Sequence, residues 1–334
     1  MIKKKSRVLV TGACGSIGSK VVEKALDMGC VVCAFDHSED GLFKLDQLHR
    51  PDYGDNLKLF IGSIRSEKRL SMALEGVDVV FHCAALKHVY LSEYNPFEAM
   101  QTNIIGTNNI INASISANVK KVIFTSSDKA VNPSSTMGAT KLLGERLMIA
   151  ANHYSGEHST KFSSVRFGNV LDTNGSILSI FRKQIIKKAP LTITSEKMTR
   201  FFISMEQSVE LCFYAAQKMI GGEIFSMSMG SCSIMDLAEV VSQGKSFDYK
   251  VIGEKPGEKL YEELVTETEA PRTTFCDGVY IIIPETLDLM RKSIKDAYLD
   301  IYSNTGRLEK PLRSDENLLT KSQISQLLKS SEIF

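Results

Sequence analysis

No run of about 18 apolar residues occurs in this chain, so no segment is long enough to cross a membrane as a helix. A signal-peptide pattern is also missing. Lys3-Lys4-Lys5 reads as a solvated end, and Arg7-Val8-Leu9-Val10 and then glycines follow it. Neither sign of charge is in surplus: 40 Lys and Arg face 39 Asp and Glu. Nucleic acid and membrane surfaces are therefore not expected partners. Cysteine is an odd seven at scattered positions, which argues for reduced thiols in a cytoplasm and against a disulfide framework. Cys30 and Cys33 have C-x-x-C spacing, but they lie in the strand-like run Cys30–Phe35. Residues three apart on a strand face opposite sides, so no redox or metal pair is expected there. No internal repeat and no low-complexity linker separates one part of the chain from another.

What the 334 residues do contain is an ordinary globular composition, 43% hydrophobic and 24% charged. The length suits one large α/β domain with an added substrate lobe. Strand-like and helix-like segments alternate through the first two-thirds. Strands are expected at Arg7–Thr11, Val31–Asp36, Leu57–Ile61, Val77–Cys83, Lys121–Ser126 and Phe162–Arg166. Several are β-branched and apolar throughout, as strands covered on both faces are. Helical spacing runs over Ser16–Met28, Glu67–Glu75, about Asn95–Ala117, and Met137–His153. Beyond Arg166 the pattern loosens, with short strands at Leu191–Thr194, Ile224–Met227 and Tyr249–Ile252 and a terminal helix near Lys321–Lys329. The expected fold is α/β: a Rossmann-type doubly wound parallel sheet with a smaller, less regular C-terminal substrate-binding lobe. Residues 1–166 form the dinucleotide-binding domain in this reading, with elements from 200–230 returning to it. Residues 167–334 form mainly the lobe and a tail.

Thr11-Gly12-Ala13-Cys14-Gly15-Ser16-Ile17-Gly18 follows a strand and opens a helix, with glycines spaced G-x-x-G-x-x-G. Gly12 permits a tight turn, Gly15 lets the backbone approach a pyrophosphate, and Gly18 allows close helix–strand packing. The helix N-terminus at Ser16 and Ile17 then offers N–H donors to the phosphates. Asp36 ends the next strand, where a carboxylate accepts from ribose hydroxyls and repels a 2′-phosphate. NAD is expected over NADP. Ala84-Ala85 are small where a cofactor would pass. Asn103, beside Thr102 within a helix, is either a cofactor contact or a locally back-bonded amide.

The fifth strand leads into Ser127-Asp128-Lys129-Ala130, and Met137-Gly138-Ala139-Thr140-Lys141 follows. A carboxyl and an amine side by side at a strand's C-terminal end lie at the usual ligand crevice. The same pair also reads as a solvated loop, with Met137 in the core and Lys141 on the surface.

Together with Ala85-Leu86-Lys87-His88-Val89, Arg166-Phe167-Gly168-Asn169-Val170, Met198-Thr199-Arg200-Phe201 and Pro256-Gly257-Glu258-Lys259-Leu260, these stretches resemble the extended short-chain dehydrogenase/reductase superfamily. The resemblance is greatest to the nucleotide-sugar 4,6-dehydratases of bacterial surface-polysaccharide synthesis, which act on UDP-N-acetylglucosamine. It runs from residue 7 to about 265 and implies an NAD-dependent hydro-lyase that works as a homo-oligomer. Water would leave across C5–C6: oxidation at C4 acidifies H5, and the hydride returns to C6. Asp128 would be the acid at O6 and Lys129 the base at C5, which requires a depressed pKa for the lysine. Ser127 would bind O4. Lys141 would hold the nicotinamide ribose, with Lys87 also at the cofactor. Lys87, His88, Asn169, Arg200, Lys255 and Glu258 would bind the sugar nucleotide, Arg200 and Lys255 at its pyrophosphate.

Three positions depart from the superfamily pattern. Met137 replaces the catalytic tyrosine, as it does in some dehydratases, and the C4 hydroxyl proton would then pass to Asp128 or to a water held by Ser127. Ser63 stands where an adenine-contacting Asp is usual, and Lys255 where Arg is common. A C4 epimerase or reductase, a GDP-linked substrate and a non-catalytic NAD-binding protein are the alternatives. The family includes retaining and inverting members at C5, and the similarity at Asp36-His37-Ser38-Glu39 leans toward retention.

Overall fold

The computed structural model describes residues 2–154, 159–171, 173, 175–243, 247–302 and 305–331. Its strands in chain order are β1 Arg7–Thr11, β2 Val31–Asp36, β3 Leu57–Ile61, β4 Val79–His82, β5 Lys121–Thr125, β6 Lys161–Val165, β7 Asn169–Val170 and β8 Leu191–Ile193. There follow β9 Thr199–Ile203, β10 Ile224–Met227, β11 Gly230–Ser233, β12 Tyr249–Val251, β13 Glu263–Val265, β14 Thr273–Cys276, β15 Val279–Ile282 and β16 Leu312–Arg313.

Nine of these build one sheet in the order β14-β15-β10-β6-β5-β4-β1-β2-β3. From β3 to β10 every pairing is parallel, and the β14–β15 hairpin closes the far edge antiparallel. The order reverses direction at β1, the switch point beside which α/β sheets bind ligands. The sheet draws on chain from both sides of residue 166. The helix Met205–Lys218 packs against β5, β6 and β10, and β10 pairs with β6.

The strand runs are apolar because both faces are covered. Val8, Val10, Val32 and Ala34 point into one core layer, while Leu9, Cys33 and Phe35 point into the other. Cys30 and Cys33 fall in different layers, and no disulfide forms among the described residues. A third core holds the lobe together, with Leu178, Phe181, Ile193, Phe202 and Leu237 packed on the C-terminal helix through Ile324 and Leu328. The lobe's own strands form a β11-β9-β7 sheet and the pairs β8–β12 and β13–β16.

The long helix expected over Asn95–Ala117 is not uniform. It is an α-turn at Pro96–Ala99, a π-helical stretch at Met100–Ile105, and an α-helix at Gly106–Ser116. A π-bulge widens the turn and re-aims a side chain. Here Asn103, buried within it, accepts from Leu86 N at 2.8 Å and donates to Leu86 O at 3.0 Å and Thr140 Oγ1 at 2.9 Å. Asn103 is thus bonded to neighbouring segments, which accounts for a polar residue inside an apolar pattern.

Candidate active site

The glycine loop after β1 is fitted to a backbone-level approach. Gly12 has φ +67°, and a Cβ on it would lie 2.8 Å from the Ala84 backbone. A Cβ on Gly18 would overlap the Gly12 carbonyl oxygen, so the helix starts against the loop only with glycine there. The helix Ser16–Asp27 begins at Gly15 without a side-chain cap, which leaves its first N–H groups to an anion. Asp36 stands at the adjacent strand end, buried, with Oδ2 accepting from Cys14 N at 2.9 Å and Oδ1 from Ser38 N at 3.0 Å. Each oxygen keeps acceptor capacity for a ribose hydroxyl. The residues present therefore fit a dinucleotide.

Beneath this loop a buried relay joins three elements. Thr11 Oγ1 pairs with His82 Nδ1 at 2.8 Å, and His82 Nε2 pairs with Thr107 Oγ1 at 3.0 Å. Burial and the nearby Lys141 charge push His82 down to about 3, so the ring is a neutral strut. Lys141 Nζ donates to Thr125 O at 2.7 Å and lies 4.6 Å from the Phe124 ring centre. Lys141 is not on the surface: it is buried, and burial draws its ammonium down to about 8. Met137 is buried one turn earlier on the same helix, Thr136–Tyr154.

The acid–base cluster grows from the C-terminal ends of β5 and β6. After β5 the chain makes a 3₁₀ turn at Asp128–Ala130, with Ser127 Oγ accepting from Lys129 N. Asp128 is fully buried and its N–H donates to Phe167 O at 3.0 Å, which tethers the turn to the segment after β6. Asp128 Oδ1 accepts from Ser127 Oγ at 2.7 Å and from Lys129 Nζ at 2.9 Å. Lys129 Nζ also donates to Asn169 Oδ1 at 3.1 Å. Asp128 Oδ2 is buried with no hydrogen-bond partner among the described residues.

The depressed Lys129 pKa expected of a base does not occur here. Burial lowers it, but the Asp128 and Glu262 carboxylates outweigh that and hold the amine above its ordinary value. Glu262, absent from the sequence expectations, is buried with Oε1 3.7 Å from Lys129 Nζ. The only signal for it was the neighbouring Pro256–Leu260 match, which ends two residues earlier.

The outer residues are arranged unequally. Arg200 is buried and spends Nη1 on Thr199 O and Leu260 O at 2.7 and 3.2 Å and Nη2 on Lys259 O at 2.8 Å. It therefore pins the 259–260 segment to β9 in this state. Lys255 and Glu258 stand at the two ends of one turn: Lys255 N donates to Glu258 Oε2 at 3.1 Å, and Glu258 N to Lys255 O at 3.0 Å. Gly257 inside the turn has φ +82°, and a Cβ there would lie 2.7 Å from Ser135 Cβ. The turn is thus pressed against the loop that precedes Met137. Lys87 and His88 are exposed on the loop after β4, immediately before the helix Val89–Tyr94. Ala84 and Ala85 are half-buried where that loop begins. Ser63 is exposed after β3, where its Oγ accepts from Arg65 N at 3.3 Å.

Glycine cradle, Asp36 and a Ser-Asp-Lys cluster on one parallel sheet define an extended short-chain dehydrogenase/reductase of the nucleotide-sugar dehydratase and epimerase type. The chain belongs to the polysaccharide biosynthesis protein family, which it matches over residues 8–284. It is 45% identical over 295 residues to an uncharacterized membrane protein of Methanocaldococcus jannaschii, covering 85% of this chain and 88% of that one. It is 38% identical to the inverting UDP-N-acetylglucosamine 4,6-dehydratase of Campylobacter jejuni, over 84% and 83% of the two chains. The UDP-glucose 4-epimerase of Rickettsia felis is 35% identical, over 90% and 92%. Among solved structures, Pen from Bacillus thuringiensis superposes with a TM-score of 0.91 at 36% identity, covering 100% of both chains. No helix among the described residues is long and apolar enough to cross a membrane.

Proposed function

We propose that the chain dehydrates a UDP-N-acetylhexosamine, UDP-N-acetylglucosamine in the first instance, to the 4-keto-6-deoxy sugar nucleotide used for surface glycans, and does so in the cytoplasm. The observation that carries this reading is the 2.9 Å contact between Lys129 Nζ and Asp128 Oδ1 at the C-terminal ends of β5 and β6. The dehydratase name borne by the C. jejuni relative supports it. NAD, held by the Gly12–Gly18 cradle, Asp36 and Lys141, supplies hydride acceptance and return when bound.

The chain's own residues handle protons. Removing H5 needs a neutral amine, and expelling the C6 hydroxyl needs a protonated carboxyl. One proton shifted from Lys129 Nζ to Asp128 Oδ1 creates both at once. A bound sugar that excludes water favours this neutral tautomer, because the charged pair loses its solvation. Lys129 then takes H5 while Asp128 gives its proton to the leaving oxygen, and the pair is back in its ionised form. Return of hydrogen to C5 draws on the Lys129 proton, and the proton lost from the C4 hydroxyl makes up the balance. Ser127, already hydrogen-bonded to Asp128, orients O4.

Epimerase-named relatives keep one rival in view. The superfamily's epimerases rely on a tyrosine to exchange the C4 hydroxyl proton, and the buried Met137 has no proton to exchange. Incubation with NAD and UDP- or GDP-N-acetylglucosamine in D₂O, followed by NMR, separates the two. A new C6 methyl with deuterium at C5 is the expected product, and its configuration reads retention or inversion. A C4 epimer with an intact C6 hydroxymethyl would replace this reading. Lys129→Ala is expected to cut product formation by about 10²- to 10⁴-fold with NAD binding kept; wild-type turnover in that variant would reject the base role.

A further inference from the structure

Glu262 stands just before β13 with its carboxyl against the acid–base pair. Three cations surround it: Lys129 Nζ at 3.7 Å and Arg200 Nε at 3.9 Å from Oε1, and Lys259 Nζ at 3.6 Å from Oε2. All three distances are too long for hydrogen bonds. Oε2 has no hydrogen-bond partner among the described residues, although Glu262 is 2% exposed. The main chain behind it is fixed, with Glu262 N donating to Ser314 Oγ and Ser314 N to Glu262 O, both at 2.9 Å. A buried carboxylate held rigidly yet left short of hydrogen bonds is costly. A purely structural glutamate would be bonded as Glu145 is, by Arg166 Nε at 3.0 Å and Nη2 at 2.7 Å.

We propose that Glu262 is a positioning residue for the acid–base pair: its carboxylate sets the charge on Lys129 and thereby decides which of Asp128 and Lys129 holds their shared proton. The consequence for turnover rests on the dehydratase reading; the effect on Lys129 itself does not. The charged groups facing Glu262 are Asp128 and Lys129 from the turn after β5, Arg200 from β9, and Lys259 from its own segment. Burial raises the proton affinity of Glu262, Lys129 opposes this, and Asp128 adds to it as a like charge. While Glu262 is ionised, Lys129 sits between two carboxylates and stays an ammonium. When Glu262 takes up a proton, or is drawn toward Arg200 and Lys259, only Asp128 still favours the ammonium. The tautomer needed at C5 then becomes accessible.

The test reads Lys129 directly. The folded protein is treated with acetic anhydride across a pH series, and acetylation of the Lys129 peptide is followed by mass spectrometry. Glu262→Gln keeps the volume and removes the charge, and its labelling midpoint is expected to fall by about one pH unit or more. Glu262→Asp withdraws the carboxylate by one methylene and is expected to move the midpoint the same way by about half as much. In turnover, the limb of the pH–rate profile set by Lys129 should move with it. Unchanged midpoints in either folded variant would overturn the proposal, since a structural role moves stability and not Lys129. If the wild type makes no 4-keto-6-deoxy product, the dehydratase reading falls, while the labelling midpoints still decide the part played by Glu262.

Discussion

Two buried ion clusters lie at the ends of adjacent strands and are built on opposite terms. At the end of β6, Arg166 uses every donor it has: Nε and Nη2 to the two Glu145 oxygens at 3.0 and 2.7 Å, Nη1 and Nη2 to those of Glu269 at 3.0 and 3.1 Å, and Nη1 to Leu264 O at 2.7 Å. After β5, the Asp128–Lys129–Glu262 cluster leaves Asp128 Oδ2 and Glu262 Oε2 without hydrogen bonds among the described residues. The first cluster ties the helix Thr136–Tyr154, the sheet and the 264–269 segment into one body. The second is short of partners at the place where the proposed mechanism puts the substrate. The saturated cluster serves as structure, while the cluster short of partners coincides with the proposed acid–base pair.

The contrast can be broken most violently at Arg166. Arg166→Met strands two buried carboxylates and is expected to cost about 3–5 kcal/mol in urea unfolding. It should also reverse the acid limb. Burial raises Glu269, but the Arg166 charge and hydrogen bonds draw its carboxyl from 4.5 down to about 2. A depressed folded pKa means stability that is present above 4.5 and lost as pH falls toward 2. In the variant, protonation relieves the stranded carboxyls, so stability should instead rise as the medium is acidified from neutral.

A smaller effect of opposite sign is expected inside the site. Lys141 is held charged in a dry place, its pKa lowered by burial from 10.5 to about 8. The folded state therefore binds fewer protons than the unfolded chain between those values, so the cost is full below about pH 8 and fades toward 10.5. Lys141→Met should stabilise the protein at pH 7 by about 1–2 kcal/mol, after allowance for the lost bond to Thr125 O. The gain should shrink above pH 8, and activity should be lost, as measured by chemical denaturation and product NMR. The smallest change sharpens the comparison from outside: the exposed Arg65–Glu98 pair, at 2.6 Å, should yield about 0.5 kcal/mol or less on Glu98→Gln. A larger value would mean that burial is not what separates the clusters.

Much of the sheet was legible because its strands are apolar runs bracketed by turn residues. β1, β2, β3 and β10 lie where expected to the residue. β4 starts two residues later than Val77, because Val77 N closes a turn onto Leu74 O. The π-helical stretch was not legible: a wide turn leaves no apolar period of its own, and Asn103 shows its reason only once Leu86 and Thr140 are beside it. In the site, the neighbours Asp128 and Lys129 could be read together because they are consecutive. Glu262 could not, since a contact made across the fold has no local spacing. The same blindness hid the raised proton affinity of Lys129, which Asp128 and, from across the fold, Glu262 hold up against burial.

The β14–β15 hairpin has a consequence for biosynthesis. β15 is what covers the outer edge of β10, Ile224-Phe225-Ser226-Met227, by antiparallel pairing along all four residues. During translation that edge emerges well before its cover. A ribosome-bound or prematurely ended chain stopping near residue 270 would therefore display a sticky apolar ribbon, open to pairing with another nascent copy. The hairpin thus closes that edge only after the chain has grown past residue 282.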